Sequence, residues 1–152
     1  MFCDLALSFD DLTQTCDLAF ADDGDLSIDV TAETPLLLSI GLDRRAAEGD
    51  ELPDGVTNLY RPDTYYQRRG SVLDACDRFG EFQGCRMWLL GRAKQTEETR
   101  LLAEYWLGEG TTWAKAQTGS PAEIEAWWAA RGLLRWRVAT GDDEITAGKR
   151  VT

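Results

Sequence analysis

The stretch from Cys3 to Phe20 leaves this chain the least freedom. Cys3, Leu5, Leu7 and Phe9 alternate with polar or small residues, and Cys16, Leu18 and Phe20 do so again. Strict alternation marks a half-buried strand, and a slip of one residue would send every apolar side chain to the opposite face. The spacing predicts a β-hairpin over 3–21 with Asp10-Asp11-Leu12-Thr13 as the turn. In that register Phe9 faces Gln14, Leu7 faces Cys16, Leu5 faces Leu18 and Cys3 faces Phe20. The tetrapeptide Cys-Asp-Leu-Ala, present at Cys3 and again at Cys16, then reads as two strands sharing one in-and-out pattern, not as a duplicated unit. The two sulfurs stand on the order of 13 Å apart at about 3.3 Å per residue, too far for a disulfide, whose α-carbons lie within about 7 Å. Buried free thiols are the expectation for such cysteines.

Further along, Asp22-Asp23-Gly24 is a turn signal, and Leu26, Ile28 and Val30 suggest a short third strand. Thr34-Pro35 opens a helix, a capping hydroxyl followed by proline at the first helical position. The helix LLLSIGL is apolar nearly all round, which predicts burial on several sides. The segment 48–84, which holds Pro53 and Pro62, has poor periodicity and reads as a long irregular loop. CRMWLLGRA reads as a short helix ending near Gly91, and Thr96-Glu97-Glu98 begins a longer one with acids at its positive end. Leu102, Tyr105, Trp106, Trp113 and Ala114 form its apolar stripe; Gly108 and Gly110 imply either a close backbone approach or a break. From Ser120 the residues are ambiguous. Ser120, Pro121 and Glu123 form a capping box, whereas Arg131-Gly132 and the alternating Leu134, Trp136 and Val138 suggest a hairpin in which Trp127 faces Trp136.

Composition excludes several functions. The chain has 152 residues, enough for one domain with a real core. Its formal charge is −11, which argues against nucleic-acid binding, and its carboxylates read as scattered along a solvated surface. No apolar run approaches the roughly 18 residues needed to span a bilayer, and no secretory signal opens the chain, so a soluble protein is expected. Histidine is absent, which removes the commonest general base and zinc ligand. The four cysteines, at 3, 16, 76 and 85, include no C-x-x-C pair. No cofactor or metal is expected.

Several short motifs occur in a fixed order: the Asp-Leu-Ala-Leu hairpin, TPLLLSIGLDRRA, Leu52-Pro-Asp-Gly55, Arg68-Arg-Gly70, GCRMWLLGRAKQTEET and RGLLRWRV. Their order resembles the Mu-like phage baseplate wedge proteins, relatives of the lysozyme-named small wedge component and sheath initiator of contractile tails. The likeness covers nearly the whole chain, with Cys85 where that family has serine. It departs at Ser71-Val72-Leu73, where the family has paired tryptophans, over Asp74–Phe82, and at Gly108 and Gly110, which lie in an alanine-rich helix of the family. The resemblance implies an α+β fold in one domain: N-terminal hairpin, buried helix, long loop, short and long helices, and a C-terminal hairpin over 122–140, all built round one small mixed sheet. It implies a structural, non-enzymatic virion protein of the tail baseplate, assembled in the host cytoplasm. Its partners would be the larger wedge subunits, the tail sheath protein and the central spike or hub, in six copies per baseplate, with neither nucleic acid nor membrane.

The contact candidates are Asp43, Arg44, Arg45, Arg68, Arg69 and Trp88. An arginine fork can bind a carboxylate bidentately within the fold or across subunits; equally, Arg44 and Arg45 can be solvated cations at a helix C-terminus. Arg68 and Arg69 are either a loop anchor or exposed, and Trp88 reads as core before interface. Cys3, Cys76 and Cys85 are the cysteines able to pair with one another or across subunits. Two other readings compete. One is a peptidoglycan-cleaving glycosidase, which needs two carboxylates roughly 5–9 Å apart, though no acid here stands in a motif. The other is a free acidic binding module, which would need its acids gathered on one face.

Overall fold

The computed structural model describes residues 4–10, 12–13, 15–53, 66–71, 74 and 82–151. The chain is α+β, with small antiparallel sheets at both ends and helices between them. Its N-terminal strands are β1 (Asp4–Leu5), β2 (Leu7–Asp10), β3 (Thr15–Leu18) and β4 (Ile28–Asp29).

The N-terminal hairpin forms, but its register differs from the predicted one by two residues. Leu7 faces Leu18 and Phe9 faces Cys16. The reason is a turn of the same length set one residue later: Asp10 Oδ1 accepts hydrogen bonds from the N–H of Leu12 at 2.8 Å and of Thr13 at 3.4 Å, so the last pair is Asp10 with Thr15. A two-residue shift keeps the parity of the strand, so the apolar face survives. Nor do β2 and β3 continue as one ribbon. Ala19 N–H donates to Ala6 O, Ala6 N–H to Ser27 O and Ser27 N–H to Ala19 O, at 2.9, 2.9 and 3.0 Å. This closed triangle makes a three-way junction. One ribbon is β2–β3, a second is β1–β4, and a third runs through the Phe20–Leu26 bridge to the turn at Gly24. Phe20 therefore lies across from Leu26, and the predicted partner Cys3 lies outside the described residues.

Helix α1 spans Glu33–Gly41. Its cap comes from upstream: Asp29 accepts from Thr31 N–H at 2.7 Å and from Thr34 N–H at 2.8 Å. Thr34 is buried inside the first turn and is not the cap. Its hydroxyl accepts from Leu7 N–H and donates to Leu5 O, pinning the junction to the helix. Pro35 therefore sits two residues inside the helix, still within the first turn, where its missing N–H costs no helical bond.

A 3₁₀ helix covers Arg86–Arg92. Helix α2 is Glu97–Gly110, capped by Thr96, whose hydroxyl accepts from Thr99 N–H at 3.1 Å. A short α3 (Trp113–Thr118) follows. The buried face of α2 is Thr99, Ala103, Trp106, Leu107 and Gly110, whereas Leu102 and Tyr105 of the predicted stripe are exposed. The stripe holds at Trp106 and Ala114, which are buried, and at Trp113, which packs on the core; it misses at Leu102 and Tyr105 because the neighbours of α2 lie on a face about one position round from them. Gly108 lies in ordinary contact with Ile124; Gly110 is the close approach, since a Cβ there would lie 2.9 Å from Gly84 O and 3.1 Å from Ser39 O.

The ambiguous segment is a strand. β5 (Glu123–Ala130), β6 (Leu133–Thr140) and β7 (Asp143–Arg150) make a three-stranded antiparallel sheet in that order, one strand more than the predicted hairpin. A bulge between Trp128 and Ala130 moves the pairing by one, so Trp127 faces Arg135 and Ala126 faces Trp136. Leu134, Trp136 and Val138 are buried as the alternation requires and join Leu36, Leu90, Trp106 and Leu107 in the core.

Candidate functional site

After α1 the chain runs extended through Asp43, Arg44, Arg45 and Ala46, and the motif residues meet here. Cys85 N–H donates to Leu42 O and Arg44 N–H to Cys85 O, both at 3.0 Å, so Asp43 and Cys85 form a parallel bridge. Gly84 makes this possible. Its φ is +80°, and a Cβ would lie 2.2 Å from Leu42 O, so the position admits no side chain. On the other side Ala46 N–H donates to Arg68 O at 2.9 Å.

The structure brings the six candidates into one cluster, with Trp88 touched by Arg44 and Arg69. Its ring is buried, and its indole N–H donates to Arg44 O at 2.8 Å. The Arg69 guanidinium lies 4.5 Å from the ring centroid and pairs with Asp43 at 2.5 Å. Arg69 adopts φ +51° just before Gly70 at +113°, a left-handed turn that folds its side chain back over Trp88. Arg68 is buried and donates to Ala47 O and Glu48 O. Arg44 donates to Glu109 O at 3.2 Å and lies 5.6 Å from the Phe82 ring, and Arg45 donates to Arg69 O. The carboxylate partner of this motif is thus taken by Arg69, twenty-six residues away, and not by its neighbours Arg44 or Arg45.

The bidentate arginine is one that sequence reading missed. Arg86 is buried; Nη1 donates to both Asp50 oxygens at 3.0 and 2.8 Å, and Nε to Glu109 Oε2 at 2.8 Å. Its guanidinium lies 5.6 Å from the Trp106 ring centroid. Desolvation opposes its charge, but the bonds to Asp50 and Glu109 outweigh that and hold its pKa above the ordinary value. The signal was present: an arginine opening the apolar run MWLL must be either solvated or paired. Lys149 reaches in from β7 to Met87 O at 3.1 Å, with burial pulling its pKa down. The whole arrangement braces five segments against one another: the chain after α1, residues 68–70, the 3₁₀ helix, the end of α2 and β7.

Cys85, a disulfide candidate, is a buried free thiol that donates to Ile40 O; burial pushes its pKa up to about 11. It is closed to a bond across subunits. Cys3 and Cys76 lie outside the described residues. Cys16, expected buried, is exposed, because β3 is the outer strand of its ribbon and is open on both faces. Among the described residues no cluster of Cys, Asp and Glu could hold a metal, and no helix is long and apolar enough to cross a membrane.

A family model described as phage protein GP46 matches residues 32–147, which takes in α1, the cluster around Trp88 and Arg86 and most of the C-terminal sheet. No curated protein and no solved structure is significantly similar to the chain.

Proposed function

The chain belongs to the phage protein GP46 family, and from that premise we propose that it is a structural, non-catalytic part of a contractile-tail baseplate, joining larger wedge subunits to the first sheath ring. The observation that carries this reading is the unequal treatment of the two edges of the C-terminal sheet. On β5 the outward backbone groups of Ala126, in the middle of the edge, are taken by α2: Arg100 donates to Ala126 O at 3.2 Å, and Glu104 accepts from Ala126 N–H at 3.0 Å. On the other side, β7 takes no strand among the described residues. The part of this edge around Glu144 and Thr146 is a template for an incoming strand, which main-chain hydrogen bonds would hold.

Thr146→Pro tests this. Counting from the two-residue turn between Thr140 and Asp143, Thr146 turns its N–H away from β6, so proline removes an outward donor. The expected result is a folded protein that nucleates sheath rings at least tenfold less well than the wild type; unchanged nucleation would sink the strand-addition step. Measurable clearing of peptidoglycan by the wild-type protein would overturn the non-catalytic reading.

A further inference from the structure

The three-way junction at the N-terminus has two unlike faces. Its vertices are Ala6, Ala19 and Ser27. The first pair outward on each ribbon is apolar: Leu5 with Ile28, Leu7 with Leu18, and Phe20 with Leu26. Side chains alternate along a strand, so these six share the face opposite the small vertices. Leu7 anchors the face to the core. Outward from it Leu5 is 40% exposed, Leu18 39%, Ile28 56% and Phe20 71%. Two-stranded ribbons are marginal in water on their own, and here three of them hold an apolar face open to solvent.

Charge says what can cover it. Residues 1–43 contain ten of the 27 acids and none of the 16 Lys and Arg, whereas the other 109 residues hold 17 acids against 16 bases. The acids are scattered, but the bases are not, so nearly all of the net charge of −11 falls on this end of the chain. Asp4, Asp17 and Asp25 each precede an apolar residue of the ring, with the carboxylate accepting that residue's N–H at 2.8 Å; all three are exposed, and alternation puts them on the reverse face of the same ribbons, one strand's thickness from the apolar one. Two copies meeting at this face would bring together two segments that each carry ten acids and no base, and phosphate-rich polymers are repelled by the same field. We propose that this face docks onto a different protein chain, at an apolar patch rimmed by lysine and arginine. Burying the aromatic and aliphatic centre would supply affinity, and the acidic surround would supply rate and partner choice.

The test co-expresses the full chain with each structural protein of its own phage's tail, a choice of probes that rests on the baseplate reading. Complexes are followed by size-exclusion chromatography with light scattering, and affinity by titration at low and high salt. The wild type should form a stoichiometric hetero-complex whose affinity falls at least tenfold between 50 and 300 mM salt, about the loss expected for a few neutralised charges. Phe20→Ser with Ile28→Ser, and separately Asp22→Lys with Asp23→Lys, should each weaken it at least tenfold with the circular dichroism spectrum unchanged. A complex indifferent to both pairs overturns this inference and leaves the baseplate reading standing. A homodimer that Phe20→Ser abolishes overturns it in favour of a second copy. No complex with any tail protein overturns both.

Discussion

Asp29 shows how much one carboxylate can organise. It is buried at the end of β4, where burial pushes its pKa up, but hydrogen bonds from Thr31 and Thr34 outweigh that and hold the carboxyl at about 2. A folded pKa below the unfolded one gives stability that is complete above about pH 4 and is lost as pH falls toward 2. Asp29→Asn keeps one acceptor oxygen where the aspartate uses two. It should lower stability at pH 7 by about 1–2 kcal/mol and flatten the acid limb of a denaturation series run from pH 5 to pH 2. The thiols give a second outcome at this scale. Exposed Cys16 should take up a maleimide in the native protein at pH 8, though slowly, since partial burial and the nearby Asp17 raise its pKa. Cys85 should stay unlabelled until the protein is denatured; peptide mass spectrometry distinguishes the two. The sequence showed that these residues were present. It could not show which thiol would be covered, since that depends on which side of a ribbon faces the helices.

Among the elements, the glycines around the parallel bridge decide how closely α1, the 3₁₀ helix and α2 can meet. Gly84 and Gly110 face each other across this contact, and both would meet backbone oxygen if given a Cβ. Gly84→Ala should therefore cost more than about 3 kcal/mol, through strain at positive φ as well as the clash. Gly41→Ala makes the control, since nothing lies within 4 Å of that position, and it should be neutral or stabilise α1 by up to about 1 kcal/mol. Thermal melts of the two variants provide the comparison. The kinds of element were largely legible from the sequence: alternation at 134–138, the Thr96 cap and the apolar run of α1 are local signals. The face that α2 buries was not, because the glycine that admits Gly84 and the residues that touch the sheet are set by neighbours distant in sequence.

At the scale of the molecule, two arginine–acid contacts differ in weight. Arg69–Asp43 has side chains 49% and 42% exposed, whereas Arg86–Asp50 has 11% and 16%. The exposed pair is worth less than about 1 kcal/mol. Removing Arg86 leaves Asp50 and Glu109 facing one another without their cation, so Arg86→Ala should cost about 3 kcal/mol, and Asp43→Ala should cost under 1 kcal/mol. Urea denaturation of both variants checks the ranking. The motif Asp43-Arg44-Arg45 drew attention to the right place, yet the stronger brace is the buried Arg86.

By itself the sequence determined parity and some of the punctuation. Alternation decided which strand residues point together, because it follows from interactions a few residues long; local start signals hold at Thr96 but not at Thr34 or Ser120. Tertiary structure decided the pairings. The hairpin register moved by two once Asp10 closed a turn set one residue later, and Asp-Leu-Ala at 4–6 and 17–19 became two corners of a triangle completed by Asp25-Leu26-Ser27. A shift of two preserves every side chain's face, so the pattern tolerates either register. Only hydrogen bonds between residues distant in sequence, such as those of Thr34 to Leu5 and Leu7, select between them.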